Sequence, residues 1–298
     1  MGGCAPHVTD GPPAPLRRRP PRLSLWTVLQ GVLSASLLLL FLLPIYALFS
    51  EAPFPRVVAA LQNPQVWASI WLTFYASGIA LLAAAVFGIP LGYLLARRSF
   101  RGRAVVESLV ALPVVVPHLL VGFGLFLLFV PGTPLHHVTV ALGLPVYDTL
   151  LGVVLVLVFV SAPYTVLASD LSFRAVDGRM IEAARSLGAG GPDAFVTVTL
   201  PIALRGIVAG LLLSWARAVS EIGGLLILAW VVYPSGLYSG PVSTTISVYI
   251  YNLVQLGDLQ DAAAVSSIFL LIAFGLFLAV RLGERYGRLP WGRGELLP

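Results

Sequence analysis

Six stretches of this 298-residue chain stay apolar long enough to cross a lipid bilayer, which takes about 20 residues of helix. They cover residues 25–49, 67–96, 105–130, 150–168, 206–231 and 262–280. Hydrophobic residues make up 58% of the chain and charged ones 10%, with a mean hydropathy of +0.93. A soluble domain carries about 25% charged residues, so too few polar groups remain here to clothe one. Runs such as 37–43 and 153–160 are apolar without alternation, which excludes the in-and-out pattern of a membrane β-barrel. The expected fold is therefore an all-α integral membrane protein of six transmembrane helices. The second stretch is longer than a perpendicular crossing needs and is expected to tilt or break near Gly88 and Pro90.

All 18 basic residues are arginine, so chemistry that needs lysine, including the phosphate-binding lysine of a P-loop ATPase, is excluded. One cysteine, Cys4, leaves no internal disulfide and no cysteine metal cluster. Sixteen of the 18 arginines fall on one side of the six segments: before the first, between the second and third, between the fourth and fifth, and after the sixth. The positive-inside rule then puts both termini in the cytoplasm and residues 50–66, 131–149 and 232–261 outside. Arg56 alone lies in an outer loop, and Arg217 is left inside the fifth segment. The pI of 9.7 is thus accounted for by topology, and no basic face remains for nucleic acid. Residues 1–24, rich in proline before the first segment, are expected to be a disordered cytoplasmic arm, and 284–298 a cytoplasmic tail. The first apolar segment is too long for the h-region of a signal peptide and is assigned as the first span of a permease domain at 25–283.

Residues 169–205 form a cytoplasmic loop far longer than the roughly 2 to 8 residues usual between bundled helices. Its first part places Val176, Met180, Ala183, Ala184 and Leu187 on an apolar stripe among Asp177, Arg179, Glu182 and Arg185. The glycines at 188–191 and Pro192 then predict a sharp turn into a second short helix running towards Val198, with Pro201 marking its end. The expected product is a rigid helix-turn-helix knob that presents an apolar stripe to a partner. Outside, Ile246, Tyr249, Ile250, Leu253 and Val254 share one helical face, which predicts a short amphipathic helix, either on the outer surface or dipping back as a re-entrant piece.

Glu182, Ala183, Ala184, Gly188, Val198, Leu200 and Pro201 resemble the coupling-loop signature of ABC importer permeases, with Val198 in place of the usual isoleucine. Further likeness, at Pro113, Pro117-His118 and Gly122, at residues 159–163, at Arg185 to Ala189 and at Arg217 to Gly224, points to the molybdate, tungstate and sulfate group of such permeases. The resemblance runs from the second segment through the sixth. It implies the type I (MetI-like) importer fold and a binding-protein-dependent permease that is not itself catalytic. It also implies a homodimer served by two separate ABC ATPase subunits, which hold the ATP and Mg, and an extracytoplasmic oxyanion-binding protein. By the same resemblance, Glu182, Ala183, Ala184, Arg185, Gly188, Leu200 and Pro201 couple the permease to its ATPase. The expected cargo is a tetrahedral oxyanion, molybdate or tungstate first and sulfate or thiosulfate second, imported across the inner membrane.

Within the apolar segments, Arg217 and Glu221 stand four residues apart, and either charge alone at mid-bilayer would cost several kcal/mol. They are expected to pair, as a structural salt bridge or as a point of transient attraction for a passing dianion, with Ser220 beside them. Pro113 and Pro117 are expected to kink the third segment, as a gate or as plain packing. His118 stands either near substrate or as a satisfied structural group, and the adjacent His136 and His137 lack the further ligands a metal site needs. An ion-coupled secondary transporter would need more buried acids than Glu221 and Glu107. A membrane enzyme would need a nucleophile, base or metal cluster that these residue types do not supply.

Overall fold

A computed structural model describes residues 25–285, so the proline-rich arm at 1–24 and nearly all of the tail lie outside the described residues. Twelve helices follow in order: α1 (Leu25–Ser50), α2 (Phe54–Gln62), α3 (Pro64–Arg97), α4 (Arg103–Val115), α5 (His118–Phe129), α6 (Pro134–Ala141), α7 (Leu150–Arg174), α8 (Gly178–Ser186), α9 (Gly191–Val219), α10 (Leu225–Leu228), α11 (Ile246–Gln255) and α12 (Leu259–Arg285). Among the described residues there is no strand, only isolated pairings of Val232 with Ser243 and of Ser235 with Tyr238. α1 as far as Ala47 forms one compact unit, and the chain from Leu48 onward forms the other.

Among the described residues, five helices are long and apolar enough to span a bilayer, and a sixth span arises if α4 and α5 count together. That pair corrects the expectation of a single kinked helix over 105–130. The two meet at 110°. Pro113 is buried inside α4 without breaking it, whereas Pro117 stands between Val115 and His118 as the cap of α5. Proline lacks an amide hydrogen and disfavours helical geometry in the residue before it, so the chain turns at Val116, whose ψ is 136°.

The fifth span is corrected as well. α9 starts at Gly191 and ends at Val219, well before Val231, and Pro201 lies inside it rather than at an end. A π-turn at Phe195–Thr199 makes this possible. α3 has the same device, a π-turn at Ala84–Gly88 just ahead of Pro90, where the sequence predicted a break. A proline ring collides with the carbonyl four residues back, which is Val86 for Pro90 and Thr197 for Pro201. Each is the central residue of its π-turn, and the wider turn moves that carbonyl aside while the helix continues.

α7 is buried on several faces and forms the centre of the second unit, extending six residues beyond its expected end to Arg174. Small residues let its neighbours approach. A Cβ on Gly92 of α3 would come within 2.6 Å of Ser169 Cβ, and one on Gly210 of α9 within 2.2 Å of Ala168 Cβ. Above this, Leu72, Ala76, Val153, Val156, Leu157 and Leu225 belong to the main apolar core. A smaller core collects Phe173, Val176, Ala203 and Ile207 near the ends of α3, α7 and α9. There Arg174 bridges Asp170 at 2.8 Å and Glu107 at 3.1 Å, and Arg103 reaches Glu107 at 2.9 Å, tying α4 to α7.

The short amphipathic helix expected before the sixth span is present as α11. Ile246, Tyr249, Ile250 and Leu253 pack with Val66, Ile70 and Val265 of α3 and α12, whereas Val254 is exposed and leaves the predicted face. α2 and α6 were not expected. Pro64 opens α3 just after α2 ends, and Thr133 caps α6 by accepting from His136 N at 3.2 Å, local signals that long hydropathy windows average away. Gly92→Val should lower the thermal unfolding midpoint of the purified protein, with a cost of about 1–3 kcal/mol for forced overpacking. Gly78→Ala, whose added methyl meets open space, should leave it unchanged.

Candidate functional site

Two places gather the singled-out residues. The first is α8 and the turn after it. Asp177 caps the helix by accepting from Arg179 N at 2.9 Å, and its carboxyl is held below the usual carboxylate range by the Arg179 side chain and amide. Gly188 has φ of +95°, the left-handed conformation that closes a helix and that glycine adopts without strain. Val176 is buried in the small core, but Met180, Ala183 and Leu187 point outward, Leu187 being 90% exposed. Glu182 and Arg185 flank them, both exposed, with Ala184 half-buried. The result is an uncovered apolar stripe on α8 and its cap residue Leu187, with charged side chains exposed on the same helix. Leu200 and Pro201 lie in the adjoining α9, with Leu200 against the small core.

The second place joins the two interrupted spans. Arg217 and Glu221 pair as expected, at 2.5 Å between Nη2 and Oε2, but across the end of α9 rather than along a helix, since α9 stops at Val219 and Ser220 caps it. The linker at 220–224 carries Glu221 inward until its side chain is 1% exposed, against 16% for Arg217. Gly224 N donates to Glu221 Oε1 at 2.8 Å, so both carboxylate oxygens are engaged. Arg217 Nη1 donates to Ser220 Oγ at 3.3 Å.

His118, the first residue of α5, completes this clasp. Its Nε2 lies 3.0 Å from Arg217 Nη2 and its Nδ1 lies 3.3 Å from Glu221 Oε2; Nδ1 also touches Arg217 Nη2. The backbones interlock next to it, because a Cβ on Gly122 would fall 2.4 Å from Gly224 O and one on Gly223 would fall 3.1 Å from His118 Cβ.

The clasp as a whole is close to neutral, which is what allows a carboxylate to be buried this deeply. Sequence reasoning paired Arg217 with Glu221 but left His118 apart, since 99 positions separate His118 from Arg217. Glycines at 122, 223 and 224 around two helix breaks were the available signal of a close crossing. Pro113 and Pro117 serve different places: Pro117 makes the break that presents His118, and Pro113 is packing inside α4. Glu107, weighed as a further buried acid, is occupied by Arg103 and Arg174. His136 Nδ1 lies 3.2 Å from Phe129 O, and the described residues hold no group of three or more potential metal-binding side chains.

Known proteins share both the sequence and the shape. The molybdate/tungstate transport system permease protein of Pyrococcus abyssi is 30% identical over 255 residues, covering 85% of this chain and 93% of its own. The corresponding protein of Thermococcus kodakarensis is 33% identical over 225 residues, covering 76% and 81%. A crystal structure of a bacterial alginate ABC transporter, in complex with an alginate-bound periplasmic protein, contains a chain that superposes with a TM-score of 0.68. The match covers 88% of this chain and 94% of that one at 20% identity, and it supports the permease fold. Residues 88–287 match the family described as the inner membrane component of binding-protein-dependent transport systems. The chain belongs to that family and is a non-catalytic transmembrane permease subunit of an ABC transporter, its ATPase being a separate subunit.

Proposed function

We propose that this permease imports a tetrahedral oxyanion, molybdate or tungstate, into the cytoplasm. The observation that carries the cargo assignment is identity of 30% and 33%, over most of both chains, to permeases named for molybdate and tungstate. In this reading two copies of the chain form the pathway and two ABC ATPase subunits, which hold ATP and Mg, dock on the α8 knobs. A binding protein delivers the anion from outside, and both termini face the cytoplasm. The chain itself carries no cofactor. The exposed stripe of Met180, Ala183 and Leu187 supports docking in an ATPase groove, with the exposed Glu182 of the same helix setting register. Rocking of the knobs would switch the pathway between outward-open and inward-open states.

The clasp supports a gate in the same pathway. A dianion reaching Arg217 competes with Glu221 for the guanidinium, and whatever parts them also frees α5 from the end of α9. Two experiments address these roles. Deleting residues 182–188 should abolish copurification with the ATPase while leaving the permease in the membrane; an intact complex would overturn the docking role. In reconstituted transporter, uptake of molybdate or tungstate should exceed that of sulfate or thiosulfate, and the reverse order would replace the cargo assignment. Arg217→Gln or Glu221→Ala alone should destabilise the fold by about 3–5 kcal/mol, because each removes the countercharge from a buried ion pair. The double variant should recover assembly, read as thermal stability and yield, yet transport at least about tenfold more slowly; unchanged uptake would remove the clasp from the pathway.

A further inference from the structure

The arginines at the ends of the spans are not equivalent. Arg97 donates to Val176 O at 3.1 Å, Arg103 and Arg174 share Glu107, and Arg179 holds Asp177 at 2.8 Å. Arg98 and Arg185 are exposed, and their guanidinium groups have no hydrogen-bond or ion-pair partner among the described residues. Both border an open groove of about 500 Å³ between the end of α3 and the turn from α8 into α9. The rest of its wall is apolar or aromatic: Ile89, Pro90, Tyr93 and Phe195, with Pro192 at one edge. No carboxylate lines it. Tyr93 packs edge-on against Phe195 at 4.9 Å and against Phe173 at 5.1 Å, so the floor is preformed.

Two unsatisfied guanidiniums above an apolar trough ask for a ligand with an anionic head and a hydrocarbon body. A small hydrated oxyanion would satisfy the arginines but waste the trough, and the volume is within the range of about 300–1,000 Å³ typical of sites for larger ligands. The groove also lies between the last turns of α3 and the first turn of α9, at the ends of two helices long and apolar enough to span a bilayer, and such ends are where a phospholipid headgroup meets its acyl chains. Guanidinium binds phosphate oxygens through paired hydrogen bonds. We propose that this groove binds an anionic phospholipid, with its phosphate on Arg98 and Arg185 and an acyl chain along Ile89, Tyr93 and Phe195. Because one wall is the α8–α9 turn and the other is α3, an occupant would brace the α8 knob against the membrane-embedded body.

The test uses the purified full-length chain, exchanged into phosphatidylglycerol or phosphatidylcholine, with retained lipid counted by native mass spectrometry. Phosphatidylglycerol should be retained in preference, and Arg98→Gln should weaken its retention about tenfold, the effect of losing one charge-assisted contact. Arg101→Gln, a neighbouring exposed arginine that does not line the groove, should behave as the unaltered protein and so controls for folding. Equal retention of the two lipids, or undiminished retention by Arg98→Gln, would overturn the proposal. So would inorganic phosphate or molybdate alone displacing phosphatidylglycerol at micromolar concentration, which would mark a soluble-anion site instead. The readout is independent of import, so it stands or falls apart from the cargo assignment.

Discussion

A peptide group in hydrocarbon has no water to bond, and this constraint orders the whole molecule. Where the chain can satisfy it within one helix, as in α7, the segment runs unbroken for 25 residues. Where it cannot, the helix is interrupted, at Pro117 and again at 220–224. The two gaps cover one another: Glu221 accepts from Gly224 N, His118 faces Arg217 and Glu221, and Gly122 leaves room for the carbonyl of Gly224. Neither interruption would be tolerable facing lipid alone. The charged clasp is therefore a condition of the fold as well as a candidate for its function.

Much of this was legible in the amino-acid order. Hydropathy located the spans because about 20 consecutive apolar residues have few other destinations, and the glycines at 188–191 with Pro192 announced the turn after α8. Proline was harder to interpret. Pro117 breaks its span while Pro90 and Pro201 do not, and the difference is a π-turn, which depends on neighbours making room for a wider helix. In α3 that room comes from Gly88 and Gly92 against Thr165 and Ser169. A linear reading sees the proline but not the residues opposite it.

The candidate sites divide in the same way. The α8 knob is made from contiguous residues, so spacing alone disclosed its cap, stripe and terminating glycine. The clasp is assembled from two segments about 100 positions apart, and only its local half, Arg217 with Glu221, could be inferred. His118 was visible as a polar residue in an apolar run, but its partner was not. The end of α9 was also set by tertiary packing, for residues 220–231 are apolar enough to continue a helix and instead fold back beneath α5.

The two π-turns stand on different sides of the small core. The last part of α3, beyond its π-turn, joins Phe173, Val176 and Ile181 there, while α9 contributes Phe195 from its own π-turn and Leu200, Ala203, Ile207 and Leu211 beyond it. Between this core and the main one only α3 widens, and α7 joins the two as an uninterrupted helix. Ile181 packs α8 into the small core, so the knob is tied to the bundle through that core and not through the main one.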